Sequence, residues 1–374
     1  MSLIVDGTTG VTFNDSSLQG AAASPYVLKN RIINGDMRID QRNNGASVAN
    51  NISGIQYSLD RWLIYGTVAS KFTVQQNAGS VTPPAGFTNY LGVTSSAATS
   101  VGAGDIYEFV QYIEGYNVAD LGWGTANAKT ITISFWVRSS LTGTFGGSLL
   151  NGSSNRSYVF SYTISSANTW EQKTITIPGD TTGTWLTNND TGLRVFWSLG
   201  IGSTYSSTAG SWQAGGYYSP TGATSVVGTN GATFYITGVQ LEIGTSATPF
   251  ERRMYGQELI NCQRYYYRFN PTSSSSNTLG SGFVQDSTNA QILHFFPVSM
   301  RTSPTALEQS GTAGNYAIRS TGGVTTCSAV PAIGDANTNT SQIQLTVASG
   351  LTGGQAILGR AVNTSAWLAW SAEL

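Results

Sequence analysis

Phe234-Tyr-Ile-Thr-Gly-Val-Gln-Leu-Glu-Ile-Gly-Thr-Ser-Ala-Thr-Pro-Phe-Glu-Arg-Arg253, then after Met254-Tyr-Gly the run Gln257-Glu-Leu-Ile-Asn-Cys-Gln-Arg-Tyr-Tyr-Tyr-Arg-Phe269, is the passage on which the reading of this chain turns. Its first half alternates as a strand does, with successive side chains on opposite faces. It then meets Pro249 and the charge cluster Glu251, Arg252 and Arg253. Beyond these, Leu259, Ile260, Gln263 and Tyr266 recur near a helical spacing, which predicts one or two helical turns. A second Ser/Thr/Gly-rich β pattern follows. The passage is a seam between two β units.

Working outward, residues 31–250 are almost wholly β in pattern. In Thr130-Ile-Thr-Ile-Ser-Phe-Trp-Val-Arg138 the residues Ile131, Ile133, Phe135 and Val137 share one face. Further strands are expected at Ser58–Tyr65, Lys71–Gln75, Ile106–Ile113, Tyr158–Tyr162, Trp170–Ile177, Leu193–Leu199 and Thr233–Glu242. Many short strands parted by Gly, Asn and Ser loops, with no long amphipathic helix, predict an all-β fold. The expected order is a jelly-roll or β-sandwich domain over 31–250, a short helical connector over 251–270, and a smaller C-terminal β-sandwich tip over 271–374. In the tip, Ile343, Leu345 and Val347 share a face, and Trp367–Leu374 is expected to pack as part of the tip. Residues 1–30 form a separate segment. Leu3–Phe13 reads as two strands around an Asp6-Gly7 turn, too short to stand alone. It either packs on its own body or is completed by another chain, and the second fits an attachment end.

Composition narrows the function classes. Charged residues are 10% of the 374, against roughly 25% in ordinary domains, while Gly alone numbers 44. A polar but sparsely ionic surface suits a protein exposed to varied ionic strength, since little of its stability is screenable. A net charge of −1 leaves no basic footprint for nucleic acid. No apolar run nears the ~20 residues of a membrane span, and Met1-Ser-Leu-Ile-Val-Asp-Gly lacks a signal-peptide pattern. The expectation is a product assembled in host cytoplasm and released by lysis within a particle. Cys262 and Cys327 have no metal or redox spacing and read as unpaired thiols.

Three segments carry a family resemblance. Lys29-Asn-Arg-Ile-Ile-Asn-Gly-Asp-Met-Arg-Ile-Asp-Gln-Arg42 is similar to the opening of many bacteriophage tail-fibre and virion surface proteins. Tyr235–Arg253 looks like the closing strand and exit of their jelly roll. Leu259-Ile-Asn-Cys-Gln-Arg-Tyr-Tyr-Tyr267, with Phe296–Pro304 after it, resembles the connector to their terminal domain. The order Trp136 strand, Asn168-Thr-Trp-Glu-Gln-Lys-Thr-Ile-Thr-Ile-Pro178 and closing strand also resembles carbohydrate-binding-module-like jelly rolls over about residues 56–245. The resemblance implies a virion receptor-binding protein without enzymatic activity. It would be a homotrimer, held at its N-terminal end by a phage tail or baseplate protein. Its C-terminal domain would face a host surface glycan or protein.

Candidate chemistry is sparse. The only histidine, His294, lies in a strand pattern and reads as a packing or hydrogen-bonded residue, so a Ser-His-Asp site is not expected. Asp105, Glu108, Glu114 and Asp120 lie in one region. Two of them could approach as a glycosidase pair, or their oxygens could hold a structural Ca²⁺; the plainer reading makes Glu108 and Glu114 solvated strand residues. Asp36, Arg38, Asp40 and Arg42, beside Arg31, read equally as exposed ion pairs or as pins between subunits. Trp62, Trp136 and Trp170 sit in strand patterns and are expected in the core. Tyr205, Trp212, Tyr217 and Tyr218, set in the low-complexity stretch 203–231, are the candidate ligand-binding residues, with rings for area and hydroxyls for orientation. Their alternative is a packed cluster under the loop. The polar loops Asn270–Asn277, Gly311–Asn315 and Gly334–Thr340 are expected to meet the host. Two other functions remain open: a polysaccharide-degrading tailspike, and a capsid or tail decoration without host contact.

Overall fold

The computed structural model describes residues 28–52, 56–272 and 277–374, with the backbone alone of 4–6, 10–12 and 18–19. Ile4–Asp6 and Gly10–Thr12 pair antiparallel, Ile4 opposite Thr12, and Leu18–Gln19 adds a third strand. The expected Asp6-Gly7 turn lies partly outside the described residues.

Two sheets form the first domain. One runs in the order Glu171–Ile177, Ile131–Ser139, Thr233–Ile243, Leu91–Ser95, Phe72–Gln76, Val48–Ala49. The other runs Trp212–Ala214, Arg156–Ile164, Gly143–Asn151, Thr191–Ile201, Ile106–Glu114, Trp62–Gly66, Gln56–Leu59. Every pairing within these two sheets is antiparallel. Their inner faces enclose one core in which Ile131, Ile133, Phe135 and Val137 meet Phe109, Phe160, Trp62 and Trp197. The fold is all-β, a sandwich of the jelly-roll kind, joined by a short helix to a second β layer.

The closing strand departs from simple alternation. Ser134 pairs with Gln240 but Trp136 with Thr237, so Gly238 and Val239 face a single residue of the neighbouring strand. This bulge reverses which parity points inward: Phe234 and Ile236 enter the core before it, Val239 and Leu241 after it. Gly238 sits at φ +63, where a side chain would be strained and would meet the Phe87 ring.

Ser58–Tyr65 is two strands, not one. Gln56–Leu59 and Trp62–Gly66 pair around Asp60 and Arg61, with Arg61 at φ +69. Trp62 is fully buried in the core as expected. Trp136 and Trp170 are only half-buried, because parity places Trp136 opposite the core residues of its strand. Trp170 instead packs on Tyr90 outside it, ring centroids 5.6 Å apart.

Helix Tyr255–Gln263 leads into the second domain. There a seven-stranded sheet runs Gly323–Thr326, Tyr316–Ser320, Ala356–Ala361, Asn277–Val284, Asn289–Phe295, Thr340–Thr346, Ala332–Ala336. A three-stranded sheet, Tyr266–Phe269, Leu368–Ser371 and Glu308–Gln309, covers it. The core between them holds Ile292, Ile318, Ile343, Leu345 and Trp370. His294 is the packing residue the sequence implied. Its ring stacks on Trp370 at 4.7 Å, and Nδ1 lies 2.6 Å from the Leu279 carbonyl. Cys327 joins this core, and Cys262 is buried on the helix; both are free thiols.

Lys29–Arg42 is not an exposed charge stripe. Ile32, Asn34 and Met37 are fully buried. Arg38 pairs with Asp36 at 2.6 Å, and Asp40 accepts the Asn43 and Gly45 amides. Arg31 pairs with Asp120. Arg42 crosses to Glu373 of the same chain at 3.0 Å. Residues 372–374 likewise lie at the junction of the two domains rather than at a tip: the Tyr57 hydroxyl of the first domain donates to the Leu374 carbonyl.

Candidate functional site

Three adjacent strands of the seven-stranded sandwich sheet build a cavity on the face away from the core. Period-two geometry sets which residues reach it. Trp62–Gly66 sends Trp62 and Ile64 inward and Leu63 and Tyr65 outward. Ile106–Glu114 sends Tyr107 and Phe109 inward and Ile106, Glu108, Val110 and Tyr112 outward. Thr191–Ile201 sends Val195 and Trp197 inward and Arg194 and Phe196 outward. Register then aligns them in rows: Leu63, Val110 and Phe196 abreast; Tyr65, Glu108 and Ser198 abreast; Tyr112 beside Arg194.

The result is an apolar floor of Leu63, Val110, Leu150 and Phe196, ringed by Tyr65, Tyr112 and Tyr218. The cavity measures about 310 Å³. Tyr218 comes from the loop after Thr191–Ile201 and stands edge-on to Phe196 with centroids 5.0 Å apart. The Arg194 guanidinium lies 4.8 Å from the Tyr112 ring centre. Its Nη1 donates to Ser154 Oγ at 2.7 Å and its Nη2 to the Gly152 carbonyl.

Glu108 is the anomalous group. It is only 5% exposed, and its Oε2 has no hydrogen-bond partner. Burial pushes its carboxyl well above the ordinary glutamate range, opposed only in part by Arg194. Burial also raises the Tyr112 and Tyr218 hydroxyls. A cavity with an apolar floor, aromatic walls and two polar groups of opposite kind suits a small polyhydroxylated ligand.

Three of the four carboxylates grouped by the sequence, Asp105, Asp120 and Glu114, are each engaged by partners of their own. Asp105 accepts from Thr67 and the Gly102 amide, and Asp120 pairs with Arg31. Glu108 and Glu114 are six residues apart on one strand face, which at ~3.3 Å per residue is about 20 Å, too far for a glycosidase pair. Neither is solvated: Glu114 is 1% exposed and receives Arg264 Nη2 at 2.6 Å and the Tyr265 hydroxyl at 2.6 Å. Among the described residues no group of three or more His, Cys, Asp or Glu gathers for a Ca²⁺ ion.

The candidate aromatics separate. Tyr218 walls the cavity, and Tyr205 braces it edge-on at 5.8 Å. Tyr217 is half-buried beside Gly215. Trp212 joins a different cluster, with Trp123 at 5.2 Å, Tyr158 at 5.3 Å and Trp185 at 5.4 Å, its indole N–H bound to the Pro178 carbonyl. Tyr65, Tyr112 and Arg194 are lining residues that sequence reasoning missed, and Glu108 it weighed only as part of a carboxylate pair or a Ca²⁺ site. One signal was available: Ile106-Tyr-Glu-Phe-Val-Gln-Tyr-Ile113 is largely apolar or aromatic on both parities, which implies that its outer face is also covered.

Among the described residues no helix is long and apolar enough to cross a membrane. No family model matches the chain, and no curated protein matches it. Solved structures give remote likenesses. One is the enzymatically active domain of tailspike protein 4 of Bacteriophage CBA120, with 12% identity, 60% of this chain covered and a TM-score of 0.29. The aligned part is 22% of that tailspike chain. A putative sugar binding protein from Bacteroides thetaiotaomicron aligns over 58% of this chain and 100% of its own, at 11% identity and TM-score 0.34. A family 11 carbohydrate-binding module from Clostridium thermocellum, in complex with a β-1,3-1,4-mixed-linked tetrasaccharide, aligns over 54% and 98%, at 14% identity and TM-score 0.26. Likenesses this remote carry no inference about ligand or activity.

Proposed function

We propose that this chain is a non-catalytic glycan-binding adhesin of the phage tail-fibre class, and that its saccharide site is the cavity walled by Tyr65, Tyr112 and Tyr218. The observation that carries the reading is the cavity itself: aromatic walls beside one buried, unsatisfied carboxyl and one guanidinium. Glycoside hydrolysis by the usual route needs two carboxyls, and Glu108 is the one carboxylate among the described residues lining this cavity. Binding therefore takes precedence over polysaccharide degradation.

The tail-fibre assignment rests on the resemblance of Lys29–Arg42 and of the seam, and gains support from their mutual packing. The Asn34 amide donates to Glu258, and Arg253 donates to the Asn30 and Ile32 carbonyls and pairs with Glu258. In this reading the chain assembles as a homotrimer on the virion, attached through residues 1–30 to a tail or baseplate protein. Several weak saccharide contacts then sum to useful avidity.

The test combines three measurements on the full chain. Solution mass should correspond to three copies. Host lipopolysaccharide or capsule fragments should bind and should release no new reducing ends. Particles lacking the protein should adsorb poorly. A monomer, with unimpaired adsorption of such particles, would refute the adhesin reading; new reducing ends would favour the tailspike alternative.

A further inference from the structure

We propose that the bare face of the second domain's seven-stranded sheet is where copies of this chain join about a three-fold axis; this rests on the homotrimer of the reading above and names its interface. The three-stranded sheet covers one face of that sheet, and period-two geometry sends the other parity outward. Ile292, Ile318 and Ile357 enter the core, so Leu293, Arg319 and Leu358 face away from it. Phe283, Leu293, Phe295, Val324 and Leu358 stand on this outer face, each between 39% and 69% exposed. Register gathers them. Val324, Arg319, Leu358, Ser281 and Leu293 lie abreast in one row, and Phe283 lies in the next. Contiguous exposed apolar surface of this kind marks an interaction site.

Three features fit the face to a further copy of itself. The first is size. Seven strands ~4.8 Å apart span about 29 Å, and six residues at ~3.3 Å add about 20 Å of length. Each copy thus offers about 600 Å² of sheet, and two copies about 1,200 Å², where specific stable interfaces begin.

The second is the order of side-chain sizes. Asn277–Val284 is the middle strand of the seven; it and its two neighbours carry Phe283, Leu293, Phe295 and Leu358. The edge strands present smaller residues, Val324 on one side and Ala332 and Gly334 on the other. The space inside three sheets that close a prism is deepest over their middle strands and narrows where edges meet. Large residues at the centre and small ones at the rims fill that shape, whereas two sheets packed flat stay ~10 Å apart throughout.

The third is charge. Arg319, with Arg360 on the next strand, lies toward one edge, and exposed Asp335 lies on the opposite edge strand Ala332–Ala336. Neither Arg319 nor Asp335 has an ion-pair partner among the described residues. Five strand spacings, about 24 Å, separate them within one chain. Closure about an axis parallel to the middle strand brings one edge of each sheet to the opposite edge of the next. Arg319 of one copy then meets Asp335 of its neighbour.

The experiment places cysteines at both edges of the full chain, Arg319→Cys with Asp335→Cys, and treats it with a bis-maleimide far shorter than the about 24 Å between them in one chain. Denaturing gels should show covalent dimers and trimers that wild type, with its two buried thiols, does not form. Adding Leu293→Glu and Leu358→Glu, with the fold checked by circular dichroism, should reduce those products at least about tenfold. Solution mass of wild type is measured alongside. A wild-type trimer without cross-linked products overturns this interface and leaves the homotrimer reading standing. Products that the two glutamates leave unchanged overturn the role given to the apolar face. Loss of host-cell binding in Leu293→Glu, Leu358→Glu, with no cross-linked product in their absence, assigns the face to a host protein instead and overturns the proposal. A wild-type monomer or dimer overturns the homotrimer reading and this inference with it.

Discussion

Arg61 and Glu373 form an ion pair sealed at the junction of the two domains, their side chains 1% and 6% exposed. The Arg61 guanidinium also lies 3.6 Å from the centre of the Tyr265 ring and donates to the Tyr112 carbonyl. Glu373 is ringed further: Arg42 reaches its carboxylate at 3.0 Å, and Arg301 donates to its backbone carbonyl at 2.6 Å. Removing one partner of such a pair leaves a buried charge without compensation. Glu373→Ala should therefore cost about 3–5 kcal/mol in denaturant unfolding. The Arg61→Met, Glu373→Leu double variant should cost less than Glu373→Ala alone. Equal losses would show that packing, not charge, holds the junction.

Acid should loosen a second tie across the same junction. Burial of Glu114 would raise its pKa, but hydrogen bonds from Arg264 and Tyr265 outweigh it and hold the carboxyl below its ordinary value. A lowered folded-state pKa contributes stability above about pH 4.3, the unfolded value, and that stability disappears as pH falls through the folded value. Urea melts of wild type and Glu114→Gln should differ most at pH 7. They should converge below about pH 4.

Glu108 has the opposite sign. Its raised carboxyl makes the folded state bind a proton more tightly than the unfolded chain, so burying it costs stability increasingly as pH rises above about 4.3. Glu108→Gln should stabilise the protein at neutral pH by about 1–3 kcal/mol, with the gain fading at pH 4. Destabilisation at pH 7 would mean that the carboxylate has a partner in solution.

Asn34 anchors the Lys29–Arg42 segment. Wholly buried and at φ +58, it donates its side chain to the Ile39 and Asp60 carbonyls at 2.8 and 3.0 Å. It also accepts the Ile39 amide at 2.9 Å. Asn tolerates this left-handed backbone better than most residues. Asn34→Ala strands those three groups and should cost on the order of 3 kcal/mol, read as a lowered melting temperature.

Aromatic truncation separates binding from folding. Tyr218→Ala and Tyr112→Ala should each weaken saccharide binding by about tenfold, since each removes a ring worth about 1 kcal/mol or more. Trp212→Ala should lower stability through the Trp123, Tyr158 and Trp185 cluster, with binding altered less than about threefold, since Trp212 does not line the cavity. Surface-immobilised glycan titrations and thermal melts distinguish the two.

Some elements could be read directly. The strand Ile131–Ser139 alternates so regularly that its inward face, Ile131 to Val137, needed only a period of two. The helix at Tyr255–Gln263 followed from spacing after a proline and a charge cluster. Gly143–Asn151 escaped notice because Gly146 and Gly147 argue against a strand. Glycine is required there by crowding from elsewhere: a Cβ on Gly147 would lie 1.9 Å from the Phe196 carbonyl. The site was half visible. Tyr218 stood out by composition, but Glu108 and Arg194 are 86 residues apart and look like ordinary strand charges until register sets their strands side by side.

The amino-acid order alone dictated an all-β chain of two units joined by a short helix, because side-chain period and turn chemistry are local properties. Which outward residues share one cavity, and which charges are buried, depended on the tertiary structure. Strand register, the bulge at Gly238 and the docking of Glu373 are fixed by contacts between residues distant in sequence, and local pattern carries no record of them.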